Sequence, residues 1–237
     1  YNPQLRALYD SSAMPAARSN SRTGEAPVSV YTRSITESFS LYNDAAIIVI
    51  SRLGFEGADY AYLDTETGGP EDNTDPTKHY LELGDNESEM LEMVKDHFDK
   101  VIVVLNSASP MEIGSLQDDP EVDGILWIGT TGSSSIMALG RILTGEVNPS
   151  GRTVDIYTRD FTTDPVYQNF GNNRQTGSSY YFQNEEGNNF DYTSPGPTSG
   201  QGVRGIMYEE GIYLGYRYYE TVAADLGTDA GESWYNT

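Results

Sequence analysis

At 237 residues the chain is long enough to bury a sizeable core and suits one domain with embellishments. Its 14 Lys and Arg face 36 Asp and Glu, a formal net charge of −22; this argues against nucleic acid or an anionic membrane surface as partner and favours a neutral or cationic ligand. The absence of cysteine excludes disulfides, thiolate nucleophiles and cysteine-based zinc sites, and no run approaches the ~20 apolar residues of a transmembrane helix.

The chain opens on Tyr1 rather than Met, as a piece of a longer protein would, so the lack of a leader carries no information. Cytoplasmic and secreted bacterial locations both stay open. Tyr1 to Asp10 is expected to form a short helix with Leu5 and Leu8 inward, followed by a polar loop from Met14 to Val28. Ile35, Phe39 and Tyr42 share one face of a second helix. Ala45 to Ser51 is all apolar and β-rich until its last residue, the pattern of a strand buried on both faces of a parallel sheet. It runs into Leu53-Gly54-Phe55-Glu56-Gly57-Ala58-Asp59, where a carboxylate lies between two glycines. Loops after the C-terminal ends of such strands form the ligand crevice of open α/β sheets.

Gly57 to Lys78 reads as a long acidic loop; its spacing does not fit an EF-hand, so an exposed charged loop is expected rather than a calcium site. A helix follows from about Asp85, capped by Asp85 or Asn86, with Met90, Leu91, Val94 and Phe98 as its apolar stripe. Val101 to Leu105 is a second apolar strand, which completes a βαβ unit with a right-handed crossover. A short helix at Met111 to Leu116, a third buried strand at Gly124 to Ile128, and a helix from Gly132 to Leu143 stopped by Gly145 and Pro149 come next. Arg152 to Tyr157 alternates and predicts an edge strand. Residues 161–207 are rich in Gly, Asn, Ser, Tyr and Pro and predict a long irregular insertion, and 208–237 form an aromatic tail.

Gly129 to Ser135 lacks the Lys of a phosphate-binding loop and reads as a capping turn rather than an anion site. His79 and His97 read as isolated histidines, so no metal site is expected. Arg52 and Asp59 can either orient or charge-tune Glu56 or form structural salt bridges. Tyr180, Tyr181, Phe182 and Tyr192 are candidates for a ligand-facing or interdomain surface, whereas the tyrosines from Tyr208 to Tyr219 are expected to pack.

Four blocks in order resemble the C-terminal-type α/β sandwich domain of glycoside hydrolase family 3, in its β-glucosidase-like members. They are Ile50 to Asp59 with its Gly-Phe-Glu-Gly, Val103 to Glu112 with Leu-Asn and Pro-Met-Glu, Leu143 to Arg152, and Tyr208 to Tyr219 with Glu-Gly-Ile-Tyr-Leu-Gly-Tyr-Arg-Tyr. Two departures stand beside them. Gly129 to Ser135 differs from the family's Gly-Gln-Glu-Gly-Gly turn, and no segment matches the barrel's nucleophile. Lys78-His79 is not equated with the barrel's sugar-binding Lys-His pair.

The resemblance implies one α/β domain over residues 1–237: a three-layer, flavodoxin-like sandwich with a mostly parallel sheet between helices (lead-in 1–44, sheet core 45–160), plus the long insertion. It further implies a retaining exo-β-glycosidase in which a barrel domain of the same protein supplies the Asp nucleophile and this domain lends Glu56 as the general acid/base. The implied substrate is a β-linked oligosaccharide or aryl glycoside, with no cofactor, no metal and no nucleic acid. The chain alone is expected to be inactive. The alternatives are a non-catalytic carbohydrate-binding or structural partner domain and, more weakly, a flavodoxin-like domain that binds an anion at Gly129 to Ser135.

Overall fold

Three of the apolar runs make the sheet. In the computed structural model, which describes residues 1–14, 24–52, 78–166 and 210–227, β1 (Ala46–Arg52) pairs in parallel with β2 (Val101–Ser107) from Ala46↔Val101 to Arg52↔Ser107. β2 pairs in parallel with β3 (Gly124–Trp127) from Ile102↔Gly124 to Leu105↔Trp127, so the strand order is β1-β2-β3. Parallel neighbours need crossovers. Within the described residues α3 (Asp85–Lys95) lies between β1 and β2, and α4 (Gly114–Asp118) between β2 and β3. The chain forms two compact units, residues 1–158 and 159–237, with the division after Thr158, close to the change of composition at residue 160.

The core of the first unit follows from strand alternation. Ile48 and Ile50 of β1 and Val103 and Leu105 of β2 join Met90, Leu91 and Val94 of α3, together with Phe39, Met111 and Leu116. α1 (Pro3–Tyr9) adds Leu8 and is capped by the Asn2 side chain, which accepts the Gln4 and Leu5 amides. α2 (Arg33–Ser38) and a 3-10 turn, Phe39–Leu41, bring in Phe39, but Tyr42 is 41% exposed instead of sharing that face. The turn tightens the helix end, and Tyr42 is its C-cap, whose amide donates to Phe39 O at 2.8 Å.

β1 is not buried on both faces. Ile48 and Ile50 are, but Ile47 and Val49 are 49% and 53% exposed. Alternate residues of a strand face opposite ways, and α3 packs on one of these faces only. β3 is likewise half-buried, ending in an exposed Trp127. Arg152 to Tyr157 forms no strand: Val154 is 92% exposed, and two aliphatics across Asp155 offer too little apolar surface to hold an edge strand.

α3 starts one residue earlier than a side-chain cap would place it. Gly84 is the N-cap, Asp85 is the first helical residue, and the Glu87 side chain reaches back to the Gly84 amide at 2.8 Å. The short helix after β2 is displaced to α4, and the helix from Gly132 is two pieces, α5 (Gly132–Ser135) and α6 (Met137–Leu143). Gly145 closes α6 in the left-handed region at φ 76°, donating to Ile142 O.

In the second unit, a 3-10 turn at Phe161–Thr163 is capped by Asp160, and α7 (Tyr216–Leu226) buries Tyr219, whose hydroxyl donates to Asp164 at 3.2 Å.

Candidate active site

The C-terminal edge of the sheet is where apolar sequence turns polar. Ser51 and Arg52 end β1, Asn106 and Ser107 end β2, and Trp127 ends β3. Asn106 Nδ2 donates to Ser51 Oγ at 3.3 Å, and the Trp127 indole N–H donates to Ser107 O at 2.7 Å. Gly129, at φ 59°, turns the chain against this ring: a Cβ there would lie 3.5 Å from Trp127 Cζ2. In open α/β sheets the crevice beyond the carboxyl ends of the strands is where ligands bind.

Arg52 is the most heavily bonded side chain of this edge. It is 1% exposed, and its guanidinium places all five N–H groups. Nε donates to Tyr80 O at 2.7 Å, Nη1 to Ser51 O at 2.9 Å and to Glu87 Oε1 at 2.8 Å, and Nη2 to Glu87 Oε2 at 2.7 Å and to Glu82 O. Arg52 forms a salt bridge with Glu87, one of the roles open to it in the sequence; Glu56, the partner in the other, lies outside the described residues. The pair with Glu87 is bidentate and desolvated, so each charge depends on the other.

His79 is not isolated, contrary to the sequence expectation. Its Nε2 lies 3.0 Å from Glu112 Oε1 and 3.6 Å from Glu82 Oε2, and Glu82 also accepts the His79 amide at 2.7 Å. Burial, with the nearby Glu112 carboxylate adding to it, pushes the Glu82 carboxyl above the usual range against the opposing pull of His79 and its amide. Residues 78–83 and 112 are brought together by a turn and by the Glu112 amide, which donates to Leu81 O at 3.1 Å. No sequence spacing announces a contact across 33 residues; the only local signal is a carboxylate directly after Pro110-Met111.

Among the described residues, His79, Glu82 and Glu112 are the group whose donor atoms converge closely enough for a cation, within 4.8 Å of one another. The tautomer argues otherwise. His79 Nδ1 accepts the Leu81 amide at 3.2 Å, so the proton of a neutral ring sits on Nε2, which lies 3.0 Å from Glu112 Oε1. A metal on Nε2 would force that proton onto Nδ1, against the Leu81 N–H.

Glu56 and Asp59, the acidic residues of the 57–77 loop and the aromatics Tyr180, Tyr181, Phe182 and Tyr192 lie outside the described residues. His97 is exposed, two residues beyond the end of α3, and packs edge-on against Phe39. A hollow of about 550 Å³ lies beside the other end of β1, lined by Tyr9, Tyr31, Ile47, Val49, Met93 and Phe98 among others. The hydroxyls of Tyr9 and Tyr31 are already committed to Glu25, which leaves a mainly apolar wall away from Arg52.

The chain belongs to the family of the Glycosyl hydrolase family 3 C-terminal domain, which residues 32–216 match. It is 29% identical over 213 residues to beta-glucosidase A of Butyrivibrio fibrisolvens and 27% identical over 183 residues to a beta-glucosidase of Ruminococcus albus. These alignments cover 85% and 77% of this chain but 22% and 15% of the relatives, so the chain spans about a fifth of their length. Among solved structures, a beta-glucosidase from Paenibacillus barengoltzii superposes with a TM-score of 0.59 at 24% identity over 84% of this chain and 17% of that one. A glycoside hydrolase family 3 beta-glucosidase from Neurospora crassa gives 0.51 at 22% identity over 92% and 21%. At these identities the superpositions establish the α/β fold.

Proposed function

We propose that this chain is the sandwich domain of a retaining exo-β-glycosidase of β-glucosidase type, that it supplies Glu56 as the general acid/base, and that a barrel domain of the same polypeptide supplies the nucleophilic Asp. The observation that carries the reading is positional. In the sequence Glu56 comes four residues after Arg52, with which β1 ends at the carboxyl edge of the sheet, and it falls inside the segment that matches the family. The beta-glucosidase names of the relatives support a β-linked oligosaccharide or aryl glycoside as substrate.

The chemistry explains why one carboxylate here is half a site. As the Asp attacks C1, the glycosidic C–O bond breaks and Glu56 protonates the departing oxygen. In the second step Glu56, now a carboxylate, takes a proton from water as the water oxygen displaces the Asp from C1, giving net retention. The two carboxyls must stand about 5–5.5 Å apart. The acid stays protonated near neutral pH only if burial or the nucleophile's charge raises its pKa. Both conditions need the second domain, so the 237-residue chain by itself is expected to hydrolyse no glycoside.

The test is Glu56→Gln in the full-length polypeptide, with kcat/KM measured on 2,4-dinitrophenyl and 4-methoxyphenyl β-glucosides. Loss of a general acid removes about 10²–10⁴-fold from the poor leaving group and little from the activated one. Equal loss on both, or loss on neither, would refute the role.

A further inference from the structure

We propose that Arg52 is a positioning residue for the proton donor, acting by fixing both roots of the segment that carries Glu56; this rests on the reading of Glu56 given above. The chain leaves the sheet at Arg52 and is described again from Lys78. One guanidinium holds the two points together. It grips the leaving strand at Ser51 O, the returning chain at Tyr80 O and Glu82 O, and the first turn of α3 at both oxygens of Glu87. Glu87 in turn holds the Gly84 amide, and Lys78 reaches Asp85 at 2.9 Å, so the returning root is tied along its length. His79 and Glu112 fasten that same root to the chain leaving β2.

This geometry bears on catalysis because Glu56 is only four residues from Arg52. Four residues of extended chain reach at most about 14 Å, so the position of the root bounds the position of the carboxyl. A displacement of about 1 Å at a proton donor can cost about 10²-fold. Burying a charge here is expensive, and a well-packed apolar pair is often as stable as a buried ion pair. An apolar residue could fill the volume, but it could not hold three carbonyls and a carboxylate in one plane. Lysine, with three donors, can satisfy at most three of the five bonds. Arg52→Lys therefore keeps the charge while loosening the root.

The experiment uses the full-length polypeptide with Arg52→Lys, Glu87→Asp and Glu56→Gln, each shown folded by its thermal midpoint at the assay temperature. kcat/KM is read on 2,4-dinitrophenyl β-glucoside, whose departure needs no proton, and on the 4-methoxyphenyl analogue. Arg52→Lys is expected to lower the second by about 10–100-fold and the first by less than about 3-fold. Glu87→Asp, which shortens the arm that orients the guanidinium, is expected to show the same selectivity, and it carries the test if Arg52→Lys does not fold. A loss equal on both substrates, as a stability defect alone would give, or no loss on either, overturns the positioning role while Glu56→Gln remains selective. If Glu56→Gln itself shows no selectivity, the reading of Glu56 fails and takes the role of Arg52 with it.

Discussion

Replacing Glu87 by Gln should destabilise the first unit more than any surface change could. The Arg52 side chain is 0% exposed and that of Glu87 3%, so Glu87→Gln strands a positive charge in the interior and sets an amide N–H₂ against either the guanidinium or the Gly84 N–H. Breaking a buried pair from one side costs about 3–5 kcal/mol. The three carbonyls that also receive Arg52 soften the loss, which places it near the lower end, about 3 kcal/mol. With a urea m-value of about 2–3 kcal/mol/M, the midpoint should fall by about 1 M. The assay is urea unfolding of the 237-residue chain in a Trp234→Phe background, so that Trp127, bonded to Ser107 beside the site, is the fluorescent reporter. Arg52→Met with Glu87→Leu should not restore stability, because the carbonyls of Ser51, Tyr80 and Glu82 lose their donors at about 1–3 kcal/mol each where buried. A midpoint shift below about 0.3 M for Glu87→Gln, or near-complete recovery in the double variant, would refute the reasoning.

The pH dependence of folding should carry the signature of Glu25, which accepts from Tyr9, Tyr31 and the Ala26 amide and is raised above its ordinary 4.5 by burial. A carboxyl raised in the folded state contributes stability that is fully present below the unfolded value of 4.5 and is lost as pH rises through the folded value. Glu25→Gln should therefore gain in thermal midpoint relative to the parent between pH 4.5 and pH 7, and a constant difference would contradict this. Ile50→Ala, at 3% exposure, should cost about 2–5 kcal/mol in urea unfolding, whereas Val49→Ala, 53% exposed, should cost less than about 1 kcal/mol; similar costs would contradict the one-faced burial of β1. Because His79 Nδ1 is an acceptor, adding zinc or EDTA should leave the thermal midpoint unchanged, and a rise with zinc that is lost in Glu112→Gln would contradict that tautomer.

The strands and the βαβ order were legible because Ala46 to Ile50 and Val101 to Leu105 are continuous apolar runs, and α3 because Met90, Leu91 and Val94 recur at helical spacing. Which face of β1 is covered was not legible, since a run that is apolar at every position is silent about what packs on either side. Arg152 to Tyr157 misled for a related reason: alternation signals a strand only if a neighbour is present to pair with it. The contacts of the site divide in the same way. Arg52 stood out as a charge at the end of an apolar strand, but its partner Glu87 lies 35 residues on, and His79 meets Glu112 only through the turn that follows β2. Such pairings are set by tertiary closure. The family blocks, by contrast, were readable as sequence, and residues 32–216 match the family as a whole.

Trapping of the glycosyl intermediate tests most directly whether Glu56 shuttles the proton. In the full-length Glu56→Ala variant, 2,4-dinitrophenyl β-glucoside should still load the nucleophile, and water should then attack slowly for want of a base. Azide, which needs no base, should raise turnover and yield β-glucosyl azide with retained configuration. Glucose as the sole product, with turnover indifferent to azide, would contradict the assignment of Glu56.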